Sequence, residues 1–175
     1  DEDNAFLVSL YINNGLTREP PYDEVYMRQA ISLLRRCHQL DVEATTIDYA
    51  GHIEHYWQII ERKERLSNPA LPEQRNPMQS VLESLIAGDT PVGLCHHDPV
   101  VANFVGNIER LYLVDWEYAA KGLLIVDYAA LGIEWGMDMD LLLEQTGFEA
   151  QMLAMAAKIY RYLCDFWQEA TSSGA

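Results

Sequence analysis

The period of the apolar positions changes twice along this chain. Met27, Ala30, Ile31, Leu34 and Cys37 recur at helical spacing and predict a helix over 22–40. Ile53, Tyr56, Trp57 and Ile60 do the same for 51–65. Met78, Val81, Leu82 and Leu85 mark a third helix, with Asn76 as its N-cap, Pro77 in its first turn and Gly88 as its stop. The polar, Pro-broken stretch before it, 66–77, is expected to be a loop. From 90 to 119 the helical period gives way to three short β-type runs: Val-Gly-Leu-Cys, Asn-Phe-Val-Gly and Leu-Tyr-Leu-Val-Asp. Gly106-Asn107 predicts a tight turn between the last two. Helical spacing returns over 123–135 and 149–169, the latter with a stripe of Met152, Ala156, Ile159, Tyr160, Leu163 and Trp167. Near the start, 6–12 reads as a strand stopped by Asn13-Asn14-Gly15. The pattern is α+β: a mainly helical body with a small β hairpin in its middle.

Composition narrows the class. At 175 residues and 49% hydrophobic content, the chain has one domain or one large lobe and a real core. A net charge of −15 argues against nucleic acid or an anionic membrane surface as partner. The same charge suits a cationic small molecule, although solubility alone also accounts for it. No apolar run approaches the roughly 20 residues that span a bilayer. There is no basic-then-apolar signal segment, and Cys37, Cys95 and Cys164 are too widely spaced for a disulfide framework. A cytoplasmic setting is the expectation. The opening strand has nothing before it to pair with, which suggests the later part of a longer chain.

The chemistry is concentrated between His96 and Ala119. Asp98 falls in a loop after a strand, where a carboxylate can take a proton from a substrate hydroxyl. Asn103 offers a neutral oxygen to a hard cation, and Asp115 stands at the end of a strand, a rigid place from which to hold Mg²⁺. Glu117 is near enough in sequence to reach a second metal. A base, oxygen donors and a divalent ion are the parts phosphoryl transfer needs. His97 is expected to be an exposed loop residue. His52 and His55, with Glu54 between them, superficially suggest a metal pair, but beside Tyr56 and Trp57 they read as the exposed side of a helix.

His96-x-Asp98, four residues, Asn103, a short hairpin and then Asp115-Trp116-Glu117-Tyr118-Ala119 resembles the core of the choline kinase and aminoglycoside phosphotransferase superfamily. These are small-molecule relatives of protein kinases. The resemblance implies that Asp98 is the catalytic base, that Asn103 and Asp115 hold Mg²⁺, and that His96 supports the loop. Downstream, Asp127-Tyr-Ala-Ala-Leu-Gly-Ile-Glu134-Trp135 matches a segment whose Asp braces the catalytic loop and whose Glu lies near a bound cation. Asp127 is thereby a structural support, and Glu134 and Trp135 are substrate-binding candidates. Upstream, Leu10-Tyr-Ile12-Asn-Asn-Gly resembles the hinge strand, whose backbone at Leu10 and Ile12 would bind the adenine of ATP.

The implied organisation is a hinge over 1–15 and a protein-kinase-like C-terminal lobe over 16–175, with the N-terminal lobe absent. No Gly-rich loop precedes the hinge, and Lys63, Lys121 and Lys158 each lie on or beside a predicted helix. The implied activity is ATP-dependent phosphorylation of a small, cationic alcohol: choline, ethanolamine, thiamine or an amino sugar. After Trp135 this chain has Gly-Met-Asp-Met where choline kinases place further aromatics. The 175 residues alone are expected to be catalytically silent. Two other readings compete: a non-catalytic lobe that binds a partner, and a metal-dependent phosphohydrolase built on His97-Asp98. Pro99 and the preceding strand oppose the second, which needs that pair within a helix.

Overall fold

The computed structural model describes residues 11–12, 22–63, 66–107 and 109–172. The expected hinge strand lies outside these residues except for Tyr11 and Ile12, which belong to neither helix nor strand.

Helix α1 (Glu24–His38) begins where the Asp23 carboxylate accepts the Val25 N–H, satisfying one orphan donor of the first turn. Helix α2 (Tyr49–Ile60) is capped in the same way by Asp48, which accepts from Gly51 at 2.9 Å. It ends at Ile60 rather than near 65. Helix α3 (Leu71–Ala87) corrects the sequence reading, because it starts well before Pro77 and carries that proline inside it. Pro72 is the first-turn proline, placed where a missing N–H costs nothing. The expected loop therefore shortens to the connection before Leu71. Two N–H groups of that connection, at Ser67 and Asn68, donate to the buried carboxylate of Glu169.

Strand β1 (Val92–Cys95) leads into a single 3-10 turn over Val101–Asn103. Strands β2 (Phe104–Gly106) and β3 (Leu111–Leu113) form the expected antiparallel hairpin, pairing Phe104 with Leu113 and Gly106 with Leu111. Its turn requires glycine at 106: φ is +130° there, and a Cβ would collide with the Arg110 carbonyl. Asn107 closes the loop by accepting the Glu109 and Arg110 N–H groups.

Strand β4 (Ala120–Leu123), which the pattern did not predict, pairs antiparallel with β1. Along its other edge runs the 45–47 segment, joined in parallel through Thr46 and Lys121. Lys121 is thus a strand residue, not part of a helix. Helix α4 (Leu124–Glu134) follows directly. A further unpredicted helix, α5 (Met139–Thr146), is capped by Asp138 and stopped by Gly147 at φ +74°.

Helix α6 (Ala150–Thr171) packs against α2, α3 and α4 and forms the spine of the core. With helices on several sides, it buries Leu153, Ala156, Ala157, Ile159, Tyr162 and Phe166. The expected stripe is wrong at its end. Trp167 is exposed, and Phe166 instead fills the core against Trp57 and Tyr162. Lys63 caps the end of α6, its Nζ donating to the carbonyls of Glu169 and Ser172, where a cation complements the helix dipole.

Candidate active site

Asp98 sits where β1 gives way to a loop that is fixed almost atom by atom. The buried carboxylate of Asp127, one turn into α4, takes three donors from outside its own helix. Its Oδ2 accepts the His96 N–H at 2.8 Å and His38 Nε2 at 2.9 Å, and its Oδ1 accepts the His97 N–H at 2.8 Å. Burial alone would raise this carboxyl. The hydrogen bond and charge of His38, then the His96 N–H, outweigh it and hold Asp127 below the usual carboxylate range. Asp127 is therefore an ionised brace across the loop.

His96 is completely buried and ties the loop to the hairpin. Its Nδ1 accepts the Asp98 N–H at 3.3 Å, which assigns the other ring proton to Nε2, and Nε2 donates to the Val114 carbonyl at 3.0 Å. Its ring meets that of Trp116 edge-on. Asn103 completes the clasp: its Nδ2 donates to both the Asp98 carbonyl (2.9 Å) and Asp98 Oδ2 (2.8 Å). With the amide nitrogen so engaged, the side-chain oxygen of Asn103 is the atom left for a cation.

The hairpin brings Asp115 alongside. Val114 N–H donates to the Asn103 carbonyl at 2.9 Å, extending the β2–β3 pairing by one step. Asp115 and Glu117 are exposed, and Asp115 has φ +66°. His97 shares that φ of +66°, so two residues in left-handed backbone flank the site from its two arms. Strained conformations of this kind persist only where the surroundings over-determine them. Asn103 and Asp115 form an oxygen-only donor set, the type Mg²⁺ requires. Among the described residues, the one group of three His, Cys or acidic ligand atoms within 4.8 Å of one another is His38, Cys95 and Asp127. Both Asp127 oxygens are already committed there, and burial pushes the Cys95 thiol up, so this is a polar core.

The negative charge of Glu117, and more weakly that of Asp98, pushes the Tyr118 hydroxyl up, with Tyr56 of α2 in the same neighbourhood. On the far side, the Cys164 thiol of α6 is raised first by burial and then by Glu134, Asp165 and Asp98. Glu134, at the end of α4, accepts the Tyr160 hydroxyl at 2.9 Å. Trp135 belongs to the core. At 1% exposure, packed against Tyr22 and Phe104, its indole presents no face to a ligand. Core packing rather than cation contact explains it.

His97 also departs from expectation. It is partly buried against Tyr49, not an exposed loop residue. His52 and His55 do lie on the exposed side of α2. The sequence reading missed His38, because nothing local to α1 announces a partner 89 residues away. Leu10 lies outside the described residues.

A family model described as the phosphotransferase enzyme family matches residues 11–158. Among solved structures, a choline/ethanolamine kinase family protein from Mesorhizobium loti superposes with a TM-score of 0.71 at 21% identity, over 82% of this chain and 52% of that one. Choline kinase LicA from Streptococcus pneumoniae gives 0.71 at 20% identity, over 85% of this chain and 57% of that one. LicA has also been solved in complex with AMP. An aminoglycoside-3'-phosphotransferase of type VIII gives 0.58 at 19% identity, over 90% and 66%. The fold is the mainly helical, C-terminal lobe of these kinase-like proteins. The chain spans little more than half the length of the first two. No curated protein sequence matches it.

Proposed function

The chain belongs to the phosphotransferase enzyme family, and from that premise we propose that it is the catalytic lobe of an ATP- and Mg²⁺-dependent kinase of a small, cationic alcohol. The observation that carries this reading is the Asp98–Asn103 clasp, braced from behind by Asp127 and set beside Asp115. Asp98 accepts the proton of the substrate hydroxyl as its oxygen bonds to the γ-phosphorus and the bond to the β-phosphate oxygen breaks, releasing ADP. Asn103 and Asp115 would hold Mg²⁺, with Glu117 available for a second ion, and a bound ion would supply charge neutralisation for the phosphates. His96 and Asp127 keep Asp98 in place, and the backbone around Leu10 and Ile12 receives adenine.

The acidic charge of Asp98, Asp115 and Glu117 favours a cation, and Glu134, whose carboxylate accepts the Tyr160 hydroxyl, is the residue that holds it. Choline, ethanolamine, thiamine and amino sugars are the candidates. No helix among the described residues is long and apolar enough to cross a membrane, and the three cysteines are free thiols. We place the protein in the cytoplasm.

A second reading concerns the 175 residues by themselves. Lys63 is committed to the end of α6, Lys121 to β4 and Lys158 to α6, so none is offered to ATP phosphates by a lobe above the hinge. The lobe alone is catalytically silent. Transfer of labelled phosphate from ATP, measured for the natural full-length protein and for this lobe against the four cations and neutral sugars, tests both. Transfer only to neutral sugars removes the cation site, and robust transfer by the lobe alone removes the second reading.

A further inference from the structure

Tyr49, the first residue of α2, reaches the loop that carries Asp98, although nothing in the motif involves it. Its hydroxyl oxygen accepts the Leu123 N–H of β4 at 3.1 Å and stands 3.3 Å from His97 Nε2. A hydroxyl carries one proton. The Tyr49 oxygen takes the Leu123 N–H on one lone pair and still bonds Nε2, through its own proton or through its second lone pair. Burial pushes the Tyr49 hydroxyl up and the His97 imidazole down, so the contact joins two neutral groups.

Glycine at 122 leaves the room this contact occupies. A Cβ there would lie 2.6 Å from both the Tyr49 hydroxyl and His97 Nε2, so one of the two side chains would have to shift. A glycine within a strand commonly marks such an approach. The residue thus secured is the one at φ +66° immediately before Asp98. Asp127 holds its backbone N–H, while Tyr49 holds its ring.

The geometry points to Tyr49 as a positioning residue: its hydroxyl fastens the His97 ring to β4 and so fixes the left-handed turn from which Asp98 projects. The catalytic meaning of this fastening rests on the kinase reading, in which Asp98 is the base. The fastening itself does not.

The test is nitrogen NMR of the His97 ring, with amide exchange, on the 175-residue chain. The wild-type ring should show a single tautomer, held by the Tyr49 hydroxyl at Nε2. Tyr49→Phe should erase that signature and speed exchange at His97 and Asp98 by about tenfold, as expected for one lost buried hydrogen bond, leaving the β2–β3 hairpin unchanged. Gly122→Ala, which keeps the hydroxyl but fills its space, should do the same. In the active full-length protein, Tyr49→Phe should lower kcat without moving the KM for ATP. A wild-type ring that averages between tautomers overturns the proposal, and so does uniform acceleration of exchange across the chain, the mark of a merely structural role. Should Tyr49→Phe not fold, the wild-type tautomer and Gly122→Ala decide. If Asp98→Asn remains fully active while the NMR signature holds, the kinase reading fails and the fastening stands.

Discussion

The two arms that meet at the candidate site are built in opposite ways. The loop arm, His96 to Asn103, is tied down from behind: two of its backbone N–H groups donate to Asp127, which His38 holds in turn, and His96 has no exposed surface. The hairpin arm, Val114 to Tyr118, is open. Asp115 and Glu117 face solvent, and Tyr118 is 53% exposed. A base must be held within hydrogen-bond reach of one proton, whereas metal ligands must remain open to an ion and to phosphates. On the proposed function, the contrast assigns a fixed carboxylate, Asp98, to the proton and open ones, Asp115 and Glu117, to the metal.

The largest way to break the comparison is chemical. On the proposed function, Asp98→Asn in the whole protein should lower the kcat of phosphate transfer from ATP by about 10²–10⁴-fold with nucleotide binding retained, measured by steady-state kinetics and nucleotide titration. The side chain keeps its shape but cannot take the proton.

Asp127→Asn should cost about 3–5 kcal/mol in denaturant unfolding, because it removes the buried charge beside His38 and turns one of the two accepting oxygens into an NH₂ that faces another donor. The pH dependence has a definite sign. The folded carboxyl lies below its unfolded value of about 3.9, so its stabilisation is complete above that pH and is lost as pH falls through the folded value. An acid-unfolding curve should flatten in Asp127→Asn relative to wild type.

At Gly106 the hairpin itself can be strained. Gly106→Ala forces a Cβ against the Arg110 carbonyl at a φ that suits only glycine, for a loss of about 1–3 kcal/mol by thermal unfolding. The smallest expected effect is the most discriminating. Asp115→Gly removes an exposed carboxylate from left-handed backbone, so stability should stay within about 0.5 kcal/mol of wild type while Mg²⁺-dependent transfer is lost. A large loss of stability there would erase the distinction between the arms.

What the sequence disclosed follows from distance along the chain. Asp98, Asn103 and Asp115 are legible because a loop and a tight hairpin hold them together, and Gly106-Asn107 announces that hairpin. His38 and Tyr49 are not, since their partners lie 89 and 74 residues away and α1 and α2 look like ordinary amphipathic helices. Strand β4 escaped because Ala-Lys-Gly-Leu has no alternation, its glycine being there for the groups packed over it. Helix α5 had both its signals, Asp138 and Gly147, but only two turns between them. Pro77 misled because proline in a first turn is the commoner reading, and here Pro72 already filled that role. Trp135 was legible as important but not as buried, since composition cannot say which way an indole faces.

Strand β4 has a bearing on the order in which the molecule assembles. It lies between β1 and the 45–47 segment, and the loop leading to Asp98 is complete only when His38, Tyr49, Leu123 and Asp127 have all arrived. Closing such long loops costs entropy that only the finished set of contacts repays. While the chain is being synthesised, α1, α2 and α3 can form early, but Asp98 waits for Asp127. The Asp98 carboxylate is thus among the last groups to find its place, and a nascent or truncated chain ending before α4 carries the motif without its geometry.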